Sequence, residues 1–246
     1  MSLKDDAIAF VKDYFEKNGN PETKAIIGIS GGKDSSTVAA LCCKAIGRER
    51  VLGVLMPNGV QSDIDDSRKL CDFLGIKNIT VNIQDGYNAL SETIKASLDL
   101  NDLSDQYRTN TPSRLRMTTL YGVAALVGNA RISCNGNLSE RLAGFFTLWG
   151  DGAGDFAPLA NLYVSEVIQL GSELGLPDEL VHKAPSDGMC GLTDEDKLGF
   201  TYDELQKVAE GKAEDVAPEQ VEKIRAKINS VCWKKELLNI PSFKYR

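Results

Sequence analysis

Apolar positions Leu3, Ala7, Ile8, Val11, Tyr14 and Phe15 recur at the spacing of one helical face, and Gly19-Asn20-Pro21 ends the run, so the chain opens with an amphipathic packing helix. The pattern then changes. Ala25-Ile26-Ile27-Gly28-Ile29 is a short apolar strand that ends in Ser30-Gly31-Gly32 and hands over to Ser35-Ser36-Thr37-Val38-Ala39-Ala40-Leu41, a helical stretch of small residues. The alternation repeats: Val51-Leu52-Gly53-Val54-Leu55 precedes a helix at 65–73, and Ile79-Thr80-Val81-Asn82-Ile83 precedes one at 87–98. A polar stretch at 101–111 leads to a long helix at 113–127, and Arg131-Ile132-Ser133-Cys134 is a fourth strand. Strands separated by helices pair in parallel through right-handed crossovers, so the predicted fold is α/β, a doubly wound parallel sheet in three α/β/α layers. Further on, 150–155 is a turn-rich loop, 164–174 and 204–209 are helices, and 186–199 is a long loop of the kind that covers active sites. A last helix at 219–228 gives way to a basic tail with Lys234, Lys235, Lys244 and Arg246.

Length and composition narrow the picture only modestly. A chain of 246 residues with 42% hydrophobic and 26% charged residues buries a real core, and one domain over 1–246 is expected. The net charge of -7 argues against a surface built to hold nucleic-acid backbones. No apolar run reaches the roughly 18 residues of a membrane span, and the opening residues lack a signal peptide's apolar core, so a cytoplasmic chain with no membrane partner is expected. The six cysteines show no C-x-x-C spacing and are expected to be reduced thiols. The lone His182 has no Cys or Ser partner with a recognisable signature, so no catalytic triad and no covalent nucleophile are expected.

The candidate chemistry lies where the first strand ends. A strand that turns through Ser30-Gly31-Gly32-Lys33-Asp34-Ser35 into a helix offers bare backbone amides where the helix dipole also favours an anion. Ser30 and Ser35 add hydroxyls, and Asp34 adds the hard oxygen that Mg²⁺ bridging phosphates takes as ligand. A plain tight turn with Asp34 as a helix cap is the competing account, and the preceding apolar strand with two flanking serines makes it the weaker one. The Walker spacing Gly-x-x-x-x-Gly-Lys is absent, so Lys33 is not a Walker lysine.

This loop resembles the PP-motif of the ATP pyrophosphatases, which adenylate a carboxylate or carbonyl oxygen and let a nucleophile displace AMP. Further stretches resemble the ammonia-dependent NAD synthetases among them: Pro57-Asn58-Gly59-Val60-Gln61-Ser62, Asn110-Thr111-Pro112-Ser113-Arg114-Leu115-Arg116-Met117, Asn135-Gly136-Asn137-Leu138-Ser139-Glu140, Gly150-Asp151-Gly152 and Ala184-Pro185-Ser186. The resemblance implies an adenine nucleotide alpha hydrolase-like, Rossmann-like fold. It implies ATP contacts at Gly28, Ile29, Ser30, Gly31, Gly32, Lys33, Asp34, Ser35, Gln61, Asn135 and Ser186. Deamido-NAD contacts fall on Asn110, Arg114, Asp155 and Lys234, Mg²⁺ ligands on Asp34 and Glu140, and Asp34 and Ser30 stand at the chemistry. It further implies a homodimer using ATP, deamido-NAD and ammonia, with no N-terminal amidase domain because the loop begins only 29 residues in.

The departures are specific. Relatives usually carry lysines where this chain has Leu148 and Val164, and His-Lys where it has Trp233-Lys234. Losing a cation near phosphates removes charge stabilisation, which leaves Lys33 or Lys183 as substitutes. Two alternatives stay open: another adenylating pyrophosphatase such as a tRNA-modifying enzyme, and a nucleotide-binding relative with reduced turnover.

Overall fold

The computed structural model describes residues 2–61, 64–182, 193–236 and 242–245. Helix α1 (Leu3–Asn18) is capped by Ser2, whose hydroxyl accepts from the Asp5 amide while Asp5 reaches back, and it buries Leu3, Ala7, Val11, Tyr14 and Phe15. Strands β1 (Lys24–Gly28), β2 (Val51–Leu55), β3 (Lys77–Thr80) and β4 (Ala130–Ile132) form a parallel sheet in the order β3-β2-β1-β4. Its register pairs Ala25 with Val51 and Ile26 with Ile132. The chain winds from β1 outward to β3 and then returns to add β4 on the other side of β1. The connections leaving β1 and β4 therefore diverge, which opens a crevice beyond the strands' carboxyl ends.

Alternate residues of β1 serve opposite faces. Ala25, Ile27 and Ile29 join the core under α1, α2 (Lys33–Ile46) and α7 (Val164–Glu173), while Ile26 meets Met117 and Leu120 of α5 (Asp105–Val127) with Val54 and Ile132. Helix α3 (Ile64–Leu74) also lies on the first face, and α4 (Gln84–Leu98) packs beside α5. The small residues of α2 let its neighbours approach closely: a Cβ on Gly171 of α7 would stand 3.0 Å from the Thr37 hydroxyl. A separate core of Ala143, Phe200, Tyr202, Leu205 and Ile224 joins α6 (Leu138–Ala143), α10 (Tyr202–Ala209) and α11 (Pro218–Glu236). The short α8 (Asp178–Val181) and α9 (Asp194–Leu198) complete the helices.

Sequence periodicity and structure part in a few places. The predicted strand at 79–83 lies two residues late: β3 is an exposed edge strand, so its polar Lys77 and Asn78 pair with β2 with no apolar signal to mark them. The polar stretch at 101–111 is largely helical, because Ser104 caps α5 and Pro112 is accommodated inside it at the loss of one backbone donor. Part of the predicted long loop, residues 194–198, is α9, capped by Thr193, and the basic Lys234 belongs to α11 rather than to a tail. The five described cysteines are free thiols, and no described helix is long and apolar enough to cross a membrane.

Phe156 ties the segment after the 150–155 loop to α1. Its ring stacks on Tyr14 at 5.0 Å and meets Phe15 edge-on at 5.3 Å, and its carbonyl accepts from the Cys134 amide. Phe156→Ala is expected to cost about 3 to 5 kcal/mol of unfolding free energy, read by urea denaturation. A loss below about 1 kcal/mol would mean that this ring does not anchor the segment.

Candidate functional site

The loop after β1 is held open by its own side chains. Ser35 Oγ accepts from the Ser30 amide at 3.2 Å and lies 3.1 Å from Ser30 Oγ, while Ser30 Oγ accepts from Gly32 N at 3.3 Å. Gly31 has φ 76°, a left-handed conformation that strains side-chain-bearing residues, and a Cβ there would lie a tight 3.0 Å from the Ser67 amide of α3. Gly32 is the N-cap of α2 and supplies no side-chain cap, which leaves the first-turn amides of Lys33, Asp34 and Ser35 available to an anion.

Asp34 stands at this helix end with both carboxylate oxygens engaged. Oδ2 accepts from Lys33 Nζ at 2.8 Å, and Oδ1 accepts from Asn137 Nδ2 at 2.9 Å. Asn137 is fully buried and is also the N-cap of α6: its Oδ1 accepts from the Glu140 amide and its own amide donates to Glu140 Oε2, both at 3.0 Å. One asparagine therefore links the two carboxylates. Burial, and then the charge of Asp34, push the Glu140 carboxyl up to about 8, against the opposing pull of Lys33 and the Asn137 amide. Burial alone would lower Lys33, yet Asp34 and Glu140 hold its ammonium above the ordinary value. Two hard carboxylates repelling one another beside an anion-binding helix end fit a divalent cation that completes its shell with water and phosphate oxygens. Among the described residues no group of three or more His, Cys, Asp and Glu offers an alternative metal centre.

Asn135 sits at the base of this crevice. It donates to the Gly28 carbonyl at 3.0 Å and accepts from Ser133 at 2.7 Å, so it joins the ends of β1 and β4. Gln61 lies past the end of β2, where its carbonyl accepts from Ile64 N. Ser186 and Lys183 lie outside the described residues. Tyr202, of the second core, donates to Asp194 at 3.3 Å, and its hydroxyl is raised by burial and by the nearby charges of Glu140 and Asp194.

A second cluster gathers around the linker 144–151 between α6 and α7. Asn110 accepts from Thr147 Oγ1 at 2.8 Å, Arg114 donates to the Leu148 carbonyl at 3.2 Å, and Ser113 donates to Asp151 at 2.7 Å. From the opposite side Lys234 of α11 donates to the carbonyls of Gly144 and Phe146 at 3.1 and 3.0 Å and lies over the Phe146 ring. Burial, then Lys227 and Arg114, lower Lys234, which places these cations in one another's field. The linker begins at the end of α6, where Phe145 N donates to the Glu140 carbonyl, so the two clusters share an element. The α2 end with its free first-turn amides and two nearby carboxylates thus adjoins a rim that carries Arg114 and Lys234.

Asp155 is not brought into either cluster. Its oxygens accept from the Ile132 amide at 2.8 Å and the Tyr121 hydroxyl at 3.1 Å, and it lines a polar groove of about 850 Å³ with Tyr14 and Arg131. Leu148 accepts from Arg114 through its backbone carbonyl, and Val164 packs on the second core. Neither brings a cation to the loop, whereas Lys33 does. The sequence reading missed the part played by Asn137, although the Asn-x-x-Glu spacing of a capping box was its visible signal.

A profile of the NAD synthase family matches residues 3–237. The NH(3)-dependent NAD(+) synthetase of Pyrococcus horikoshii is 40% identical over 205 residues, covering 83% of this chain and 77% of the relative. Among solved structures, an NMN synthetase from Francisella tularensis superposes with a TM-score of 0.85 at 31% identity, covering 98% of this chain and 99% of that one. An NAD+ synthetase from Burkholderia pseudomallei gives 0.78 at 28% identity over 96% and 91%.

The raised Glu140 carboxyl fixes a sign. Between the ordinary value of 4.5 and about 8 the folded chain keeps this proton and the unfolded chain does not, so this group's contribution to stability falls as pH rises across that window. Denaturation of the metal-free chain from about pH 5 to about pH 8 is expected to show that decline, with a flatter profile for Glu140→Gln. Equal slopes in the two proteins would take the proton off Glu140.

Proposed function

The chain belongs to the NAD synthase family, and from that premise we propose that it converts deamido-NAD, ATP and ammonia to NAD, AMP and diphosphate. The observation that carries this reading is the Asn137 bridge, which sets Asp34, at the anion-binding end of α2, in hydrogen-bonded register with Glu140 of α6. In this reading the phosphates of ATP rest on residues 28–35, with Asn135 bracing that loop and Gln61 and Ser186 completing the nucleotide contacts. Asp34 and Glu140 would hold a divalent cation such as Mg²⁺, which would supply charge neutralisation for the departing diphosphate.

The chain's own task is alignment. Ser30 and the first-turn amides fix the triphosphate, and Asn110, Arg114 and Lys234 orient the acidic dinucleotide. A nicotinate carboxylate oxygen then bonds to the α-phosphorus while the bond to the bridging oxygen breaks, and diphosphate leaves with that electron pair. Ammonia adds to the resulting acyl adenylate, loses a proton, and AMP departs to leave the amide. No protein nucleophile takes part, so catalysis rests on positioning and charge.

A second reading rests on the Francisella protein, named an NMN synthetase, which matches this chain end to end. In it the same two steps act on nicotinate mononucleotide.

The deciding assay supplies ATP, Mg²⁺ and ammonium with either acceptor and follows AMP and amide together. Equal yields of AMP and NAD, with the higher kcat/KM on deamido-NAD, are expected. A reversed preference selects the mononucleotide, AMP without amide selects another adenylating pyrophosphatase, and nucleotide binding without AMP selects a relative that does not turn over. Asp34→Ala is expected to lower kcat by about a hundredfold or more, and retained activity would refute its assignment.

The proposal includes a homodimer built on α4 and α5, which expose Leu90 and Leu98 on one helix and Tyr121, Leu126 and Val127 on the other. Light scattering is expected to give twice the chain mass, and Leu98→Glu with Leu126→Glu to give the monomer. A wild-type monomer would remove this part of the reading.

A further inference from the structure

Lys33 is placed unusually for a residue at the first position of a helix. Its side chain is 4% exposed, it ends 2.8 Å from the Oδ2 of the next residue, Asp34, and that partner's side chain is only 18% exposed, so the pair is enclosed on both sides. Neighbours one apart on a helix do not face each other, so the lysine has folded back over the helix end to reach its partner. The charges acting on it come from Asp34, Glu140 and Asp194, which are the acids that surround the crevice, and Asp34 is held from its other side by Asn137.

A cation so placed satisfies the same carboxylate oxygen that a divalent ion would take. We infer that Lys33 is a resident counter-ion: it holds Asp34 beside Glu140 in the nucleotide-free chain, weakens the binding of free divalent metal, and yields Asp34 when metal comes with the triphosphate. This inference deepens the proposed ATP chemistry and rests on it. The ammonium released from Asp34 remains at the loop that carries the phosphates, which supplies the positive charge that Leu148 and Val164 do not. In the nucleotide-free chain Lys33 is therefore a positioning residue that acts through Asp34.

The probe is Mn²⁺ alone, titrated without nucleotide into the full chain and followed by electron paramagnetic resonance. Lys33→Met, similar in length and uncharged, is expected to bind Mn²⁺ at least about tenfold more tightly than wild type, because an enclosed unit charge has been taken from beside the ligands. Lys33→Arg is expected to stay close to wild type. Binding by Lys33→Met that is no tighter, in a protein with a wild-type circular dichroism spectrum, overturns the inference. Should Lys33→Met not fold, Lys33→Gln makes the same comparison. Wild-type crystals soaked with Mn²⁺ alone give an independent one: Lys33 turned away from Asp34 supports the inference, and a metal between the carboxylates with the Lys33–Asp34 pair intact overturns it. Failure of the parent reading is separate, since it shows as absence of AMP from the wild-type chain.

Discussion

Two carboxylates cannot be packed into the same crevice without positive charge or hydrogen-bond donors to balance them. Lys33 and Asn137 provide that balance here, and the positions of α2 and α6 follow from it. Asn137 is the geometric key, because its side chain caps one helix and reaches the first turn of another, 103 residues away in sequence. Loss of either partner leaves a desolvated acid, so helix capping and the site's electrostatics are one arrangement.

The sheet makes this arrangement possible. Parallel pairing of β1 with β4 brings the segment 133–140 alongside the loop 30–35, and Asn135 locks the two strand ends together through Gly28 and Ser133. The small residues of α2 let α1 and α7 close on it, which seats its N-terminus at the crevice. The second core then sets α10 and α11 over α6, so that Tyr202 stands near Glu140 and Lys234 clasps the linker. Apolar packing remote from the chemistry therefore decides where the charged groups stand.

The linker 144–151 joins both halves of the proposed reaction. Its first residues hang from the Glu140 carbonyl, its middle is held by Asn110 and Arg114, and Asp151 is locked to Ser113. Trp149 sits within it at φ 64°, a conformation costing an aromatic residue about 1 kcal/mol or more and sustained by the hydrogen bonds on either side. In the proposed reaction a segment so tightly constrained would keep an acceptor carboxylate at a fixed distance from the triphosphate, which is what an adenylation step requires.

By itself the sequence determined the layered parallel fold and the loop 30–35, because apolar periodicity and glycine at a strand-to-helix turn are local signals, whereas Glu140 entered beside Asp34 only through a family resemblance. The sequence misjudged β3 and the start of α5, where an exposed edge strand and a helix containing Pro112 carry patterns that contradict their state. Only the tertiary structure decided that Asn137 bridges the acids, that Lys33 turns back onto Asp34, and that Asp155 accepts from Tyr121 and lines a groove with Tyr14 and Arg131 instead of joining Arg114 and Lys234. Each of these is a question of direction and burial. Direction and burial are set when distant segments pack, and no spacing along a chain encodes which way a side chain will then face.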